Sequence, residues 1–224
     1  MATLTGPRIA PRSGKTKQLV VFLHGYGADG NDLIELGNQW RSLLPDTAFA
    51  SPHAPEPCAG ASMGRQWFTL TMRDMDERWI GVQKAGPVLQ SYLDAELAHW
   101  QLPPERLALV GFSQGTMMAL HVGLRRAVPP AAIVGYSGIH VTPAREAEAE
   151  KFGKEIVAHP PVLLVHGDRD DLIPAQALFI SAQSLAAVDV PVEWHLSQGL
   201  GHGIDPDGLR LGGEFLARAL GPKR

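Results

Sequence analysis

Residues 111–115 read Gly-Phe-Ser-Gln-Gly, which fits the pattern GxSxG with Ser113 at its centre. They follow the apolar run 107–110 directly and precede a stretch with helical periodicity, which is the setting of a serine at a sharp strand-to-helix turn. There the hydroxyl projects free of the sheet, and the helix N-terminus favours the negative charge that develops when it attacks a carbonyl. Ser113 is therefore a candidate nucleophile.

A serine hydroxyl needs a base that accepts its proton, and that base needs a carboxylate that orients it and stabilises its cation. The candidate base is His202, which lies between two glycines in a loop after the predicted strand 192–196. The candidate acids lie in residues 166–174, a turn rich in aspartate that follows the run 162–165. The chain thus supplies serine, acid and histidine in the expected order.

Three aspartates compete for the role of the acid. Asp168 ends the strand and is suited to brace the turn, and Asp171 is placed to cap the helix that Pro174 helps to start. Asp170 is the triad acid that remains. Spacing favours it without excluding the other two.

Residues 25–30 read Gly-Tyr-Gly-Ala-Asp-Gly and fit the spacing GxGxxG between a strand and a helix, the context of a dinucleotide-binding turn. That function also requires an acidic residue at the end of the second strand, where residues 51–53 read Ser-Pro-His. A tight turn that only glycines can form is the simpler interpretation. A loop that helps to bind an oxyanion is the third.

The elements that must position these residues alternate along the chain. Short apolar runs bounded by Gly, Pro and Asp predict strands, and the longer stretches between them have helical periodicity. The predicted strands are 18–23, 47–51, 107–112, 131–136, 162–166 and 192–196, and the predicted helices are 32–43, 82–100, 114–126, 175–187 and 209–220. This order indicates an α/β protein with an open parallel sheet, helices on both faces and the candidate residues at the carboxyl edge.

The domain organisation follows from length and from the gaps between elements. We predict a flexible N-terminal segment, 1–17, and a single domain, 18–224, without a separate cap domain. The irregular stretch 52–78, rich in Pro, Met and aromatic residues, suits a lid or a pocket wall. Within it Trp67 is the best candidate for a substrate contact, and we add Leu70 and Leu172 to the predicted substrate contacts.

Composition excludes several classes of function. A net charge of -3 without a long basic run predicts no nucleic-acid partner. Cys58 is the only cysteine and no histidine pair has metal-ligand spacing, so we predict no disulfide and no metal, and a reducing cytoplasm fits best. The N-terminus lacks the features of a secretory signal, and no apolar run approaches the roughly 18 to 20 residues of a transmembrane segment.

Taken together, the motifs at 23–30, 111–115, 166–170 and 201–202 resemble those of the phospholipase/carboxylesterase family of α/β hydrolases, which includes acyl-protein thioesterases and small bacterial carboxylesterases. The likeness runs in order from about residue 18 to residue 220. It implies an α/β-hydrolase fold with a mostly parallel, twisted sheet, and Ser113, Asp170 and His202 as the catalytic triad. It also implies an oxyanion hole formed by the backbone N–H groups of Tyr26 and Gln114, with no cofactor.

We therefore expect a serine carboxylesterase that hydrolyses a small-molecule ester with a small to medium acyl chain through an acyl-enzyme on Ser113. The alternative is an acyl-protein thioesterase or a lysophospholipase with the same triad. The alternative from a different class is a non-catalytic binding module of the same fold. A homodimer is a possible assembly.

Overall fold

The computed structural model describes residues 4–58, 63–71, 76–144 and 152–221, and a seven-stranded sheet runs through its centre. The spatial order of the strands is β1-β3-β2-β6-β7-β8-β9, and every neighbouring pair is parallel except β1 with β3. The seven strands are β1 (Arg8–Ile9), β2 (Gln18–Leu23), β3 (Thr47–Ala50), β6 (Leu107–Phe112), β7 (Ala132–Tyr136), β8 (Val162–Gly167) and β9 (Val192–Ser197). A separate two-stranded ribbon pairs β4 (Glu56–Pro57) with β5 (Arg65–Gln66).

Helices cover both faces of the sheet. They are α1 (Gly30–Trp40), α2 (Glu77–His99), α3 (Gln114–Gly123), α4 (Gln176–Ala186) and α5 (Pro206–Leu220). Apolar residues of α2, α3 and α4 pack on one face, and those of α1 and α5 pack on the other. Strands β6, β7 and β8 are buried along almost their whole length, because helices cover them from both sides. This architecture confirms the predicted fold class.

Two adjacent strands define where a site can form. From β2 the chain passes to β3 on one side, and from β6 it passes to β7 on the other. Because the connections leave in opposite directions, a crevice opens at the carboxyl ends of β2 and β6. The register places Leu23 beside Gly111 at those ends, so the glycine-rich loop after β2 and the turn that holds Ser113 are neighbours.

The N-terminal region corrects one prediction. Residues 4–17, expected to be flexible, include β1, which pairs with β3 through Arg8 opposite Ala50. The Arg8 Nε donates to Oε2 of Glu96 at 2.9 Å, and that glutamate is buried on α2. Leu4 is buried in the core as well. A buried carboxylate without an ion-pair partner destabilises the folded protein. Arg8 is that partner for Glu96, so this ion pair anchors the N-terminal segment to α2. Residues 1–3 lie outside the described residues.

Two buried histidines, His121 on α3 and His140 in the loop after β7, lie near the Arg125 cation. Burial, together with the nearby Arg125 cation, lowers the pKa of His121 to about 3 and that of His140 to about 4. The His121 ring packs against Trp79 with 5.9 Å between ring centroids. Both histidines are therefore neutral in the folded protein at neutral pH, whereas in the unfolded chain they take up protons near pH 6.5.

The change His121→Phe should reduce the acid sensitivity of the protein. Below about pH 6.5 the unfolded chain binds a proton that the folded chain excludes, so the free energy of unfolding falls as the pH falls. Phenylalanine keeps the ring packing but has no nitrogen that can bind this proton. Between pH 7 and pH 4 the free energy of unfolding of the variant should therefore fall by about 1 to 3 kcal/mol less than that of the wild type. Urea unfolding at several pH values measures this. The exposed His99→Gln serves as the control, and parallel curves for all three proteins would contradict the prediction.

Candidate active site

The backbone at Ser113 adopts a sharp turn between β6 and α3. Its φ is +54° and its ψ is −116°, a combination that residues other than glycine rarely adopt. The Ser113 N–H donates to the Tyr136 carbonyl at 2.9 Å, which ties the turn to the end of β7. A Cβ on Gly115 would lie 1.8 Å from the Leu23 carbonyl oxygen, so this position requires glycine. The turn is thus held against both neighbouring strands.

Asp170 and His202 form a close pair at the same edge of the sheet. His202 Nδ1 lies 2.7 Å from Asp170 Oδ2, and the other carboxylate oxygen accepts the N–H groups of Leu172 at 3.0 Å and Ile173 at 2.9 Å. Because an ionised carboxylate only accepts hydrogen bonds, the proton of the neutral imidazole resides on Nδ1. The Nε2 atom is left as the acceptor that a general base needs.

The environment of Asp170 keeps it ionised. Burial by itself raises the pKa of this carboxyl, but hydrogen bonds from the Ile173 N–H, the His202 ring and the Leu172 N–H outweigh burial and lower it. His166, also buried, places Nε2 3.2 Å from Asp170 Oδ2 and donates from the same nitrogen to the Ile173 carbonyl at 2.7 Å. Asp170 can therefore carry a negative charge next to His202.

Contacts from distant parts of the chain place the His202 loop. Asp168 Oδ1 accepts the Gly199 N–H at 2.6 Å, so the side chain expected to brace its own turn bonds to the loop of His202. Ser137 Oγ donates to the Gly203 carbonyl at 3.1 Å. The His202 ring packs beside that of Phe112, with 5.0 Å between centroids, and Phe112 immediately precedes Ser113. His202 therefore lies next to the turn that presents Ser113. The sequence does not single out Phe112 or Ser137 for this contact.

The prediction that Asp171 caps a helix is wrong. Helix α4 begins at Gln176, and its N-cap residue Ala175 makes no side-chain hydrogen bond. Asp171 is exposed. The side chain that accepts amides of this turn is that of Asp170, which takes the N–H groups two and three residues ahead.

The two amides expected to bind an oxyanion lie at the ends of β2 and β6. Gln114 is the first residue of α3, so its N–H has no acceptor within the helix. The loop after β2 turns at Gly27, with a φ of +81°. Across residues 4–58, 63–71, 76–144 and 152–221, the Tyr26 N–H donates to no protein acceptor. Both N–H groups are thus available to a ligand.

The predicted substrate contacts occupy different environments. Trp67 is only 1% exposed, its ring 5.7 Å from that of His24. Leu70 is half-buried and packs against the core beneath α2, whereas Leu172 is 64% exposed beside Asp170. Burial of Trp67 favours a role in holding the site together over direct contact with a substrate. Leu70 and Leu172 stay predicted contacts.

The described part of the chain holds no group of three or more His, Cys, Asp or Glu side chains arranged for a metal ion. No helix in that part combines the length and apolar character needed to cross a membrane.

Known proteins are similar to this chain in both sequence and fold. A model of the phospholipase/carboxylesterase family matches residues 4–220. Acyl-protein thioesterase 1 of Gibberella zeae is 28% identical over 97% of each chain, and esterase YpfH of Escherichia coli is 25% identical over 84% of this chain and 77% of its own. The crystal structure of esterase PE8 superposes with a TM-score of 0.91 and 43% identity, covering 98% of this chain and 100% of that one.

The fold and these relatives define the protein as a serine hydrolase that acts on ester bonds. More narrowly, the chain belongs to the phospholipase/carboxylesterase family of α/β hydrolases.

The change Gly115→Ala should destabilise the protein, because the new methyl group would overlap the Leu23 carbonyl. We expect a loss of about 1 to 3 kcal/mol or more in the free energy of unfolding, measured by urea denaturation. Gly153→Ala is the matched control. Residue 153 lies in a short helical segment, 152–155, and no atom lies within 4 Å of a Cβ there, so this change should be neutral or slightly stabilising. Equal stability of the two variants would show that the close approach at Gly115 is not required.

Proposed function

We propose that the protein is a serine carboxylesterase that hydrolyses carboxylic esters with small to medium acyl chains through an acyl-enzyme on Ser113. The observation that carries this proposal is the Asp170–His202 pair, 2.7 Å between Oδ2 and Nδ1, packed through the Phe112 ring beside the turn at Ser113. Ser113, His202 and Asp170 then act as nucleophile, general base and orienting acid.

In the first half of the reaction, Ser113 Oγ attacks the carbonyl carbon of the ester while His202 Nε2 takes the hydroxyl proton. The carbonyl oxygen becomes an oxyanion, and the N–H groups of Tyr26 and Gln114 donate to it. The ionised Asp170 stabilises the imidazolium. When the bond from carbon to the alcohol oxygen breaks, His202 returns the proton to the departing alcohol.

In the second half, water replaces the alcohol. His202 Nε2 accepts a proton from water as its oxygen attacks the acyl-enzyme, and the same two amides hold the second oxyanion. Collapse of this intermediate releases the carboxylic acid, and the proton on His202 returns to Ser113 Oγ. No step calls for a cofactor.

A thioester can follow the same route, since a thiolate leaves with little need of protonation. The relatives named acyl-protein thioesterase support this alternative. The phospholipase in the name of the family supports the other alternative, a lysophospholipase. We also propose a small-molecule ester as the substrate and a cytoplasmic location, in keeping with the single, unpaired Cys58. A homodimer stays a prediction of the sequence.

A fluorophosphonate probe tests the proposed nucleophile. Ser113 Oγ should displace fluoride from phosphorus, so mass spectrometry of the folded protein should find the adduct on Ser113. Ser113→Ala should abolish labelling and lower ester turnover by at least about 10³-fold, with a nearly unchanged melting temperature. Absence of the adduct on folded wild-type protein would instead favour a non-catalytic binding module. Loss of folding in the variant would mean that Ser113 is a structural serine.

One panel of rates tests the substrate class. The proposed function predicts the highest kcat/KM for aryl esters of small to medium acyl chain length, because an aryloxide is a good leaving group and the proposal assigns acyl chains of that length. A thioester matched in acyl group and a lysophospholipid complete the panel. If either exceeds the best ester in kcat/KM by about tenfold, the corresponding alternative replaces the carboxylesterase assignment.

A further inference from the structure

The side chain of Gln114 joins the serine turn to a distant, irregular part of the chain. Gln114 is fully buried, its Oε1 accepts the Trp67 N–H at 2.9 Å, and its Nε2 donates to the Phe68 carbonyl at 2.7 Å. Because each backbone partner has a fixed hydrogen-bonding role, the orientation of the Gln114 amide is also fixed. Two hydrogen bonds thus hold the first residue of α3 to residues 67–68.

The same stretch holds the loop of Tyr26 on both sides. The Trp67 indole N–H donates to the His24 carbonyl at 3.0 Å, two residues before Tyr26. After Tyr26, the Gly27 N–H donates to the Arg65 carbonyl at 2.9 Å, and the Arg65 N–H donates to the Ala28 carbonyl at 2.8 Å. We call Arg65, Trp67 and Phe68 the bridge, because they bond to both segments.

From these contacts we infer that the bridge sets the distance between the two oxyanion-hole amides, and that the Gln114 side chain is its positioning residue. The inference rests on the proposed function. Oxyanion donors must lie about 2.7 to 3.1 Å from the developing charge, so a small displacement of one N–H group weakens its hydrogen bond to the oxyanion. The Gln114 backbone supplies one donor and its side chain grips the bridge, so movement of that side chain displaces the donor directly.

Burial makes the bridge stiff enough for this role. Trp67 and Phe68 are 1% and 2% exposed, and a Cβ at Gly81 of α2 would overlap the Phe68 ring. The bridge therefore packs between the oxyanion loops and α2, and cannot shift without disturbing the core.

The deciding variant is Gln114→Met, which keeps the length of the side chain and removes both hydrogen bonds. We expect kcat for an aryl ester to fall about 10- to 100-fold with KM changed by less than about threefold, because the lost interaction acts mainly in the transition state. A trifluoromethyl ketone provides the second measurement. Ser113 Oγ adds to its carbonyl, His202 takes the proton, and the resulting oxyanion needs the same amides. Its affinity should fall by the same factor as kcat.

Trp40→Phe is the matched control. Trp40 is buried on α1, on the opposite face of the sheet, and its indole N–H donates to the Leu209 carbonyl at 3.1 Å. This variant should lower the melting temperature while kcat and inhibitor affinity change by less than about threefold. If Gln114→Met keeps wild-type kcat, or if Trp40→Phe lowers kcat equally, the inference is overturned.

A second bridge variant decides the matter if Gln114→Met does not fold. Trp67→Phe keeps an aromatic ring and removes the indole N–H that binds the His24 carbonyl, so kcat and inhibitor affinity should fall together, by about threefold or more. Unchanged values overturn the inference. Failure of the proposed function itself gives a different result, because the wild-type protein would then neither hydrolyse the ester nor bind the ketone covalently.

Discussion

The backbone conformation of Ser113 is the constraint on which the rest of the structure depends. A positive φ at a residue with a side chain costs about 1 to 3 kcal/mol and persists only where the surroundings impose it. Here the Tyr136 carbonyl accepts the Ser113 N–H from one side, and the carbonyl of Leu23 approaches Gly115 from the other. Strands β2 and β7 therefore hold the turn between them, and the strain is offset by the packing of the buried central strands.

Charge at the carboxyl edge is balanced by donors from several loops. Asp170 receives two backbone N–H groups and the His202 ring, and His166 lies close to the same oxygen that faces His202. Such an arrangement keeps a buried carboxylate ionised, which is the condition under which it can stabilise an imidazolium. The loop of His202 is fixed in turn by Asp168 and Ser137, so the imidazole is oriented before any substrate arrives.

The stretch with the least regular sequence has a definite structural role. Residues 63–71 include strand β5 and the buried Trp67, which bonds to the loop after β2, while the Gln114 side chain bonds to the backbone of residues 67 and 68. A lid or pocket wall is the natural interpretation of such a sequence, yet its aromatic side chains fill space beneath the carboxyl edge. Tight packing of this kind transmits small displacements between the groups that it connects.

The sequence by itself determined the six parallel strands and the helices α1 to α5, and it selected the residues that we propose to carry the chemistry. Predicted strands 18–23 and 107–112 match β2 and β6, because an apolar run bounded by turn residues reports burial within a few neighbouring positions. The GxSxG pattern and the order of Ser113, Asp170 and His202 are equally local signals.

Contacts between remote residues were decided only by the tertiary structure. Arg8 reaches Glu96 across 88 positions, and Gln114 reaches Trp67 across 47. The ordering of the N-terminal segment, the burial of Trp67 and the bracing by Ser137 depend on such contacts, which no local periodicity encodes, because the partners meet only when the sheet has formed.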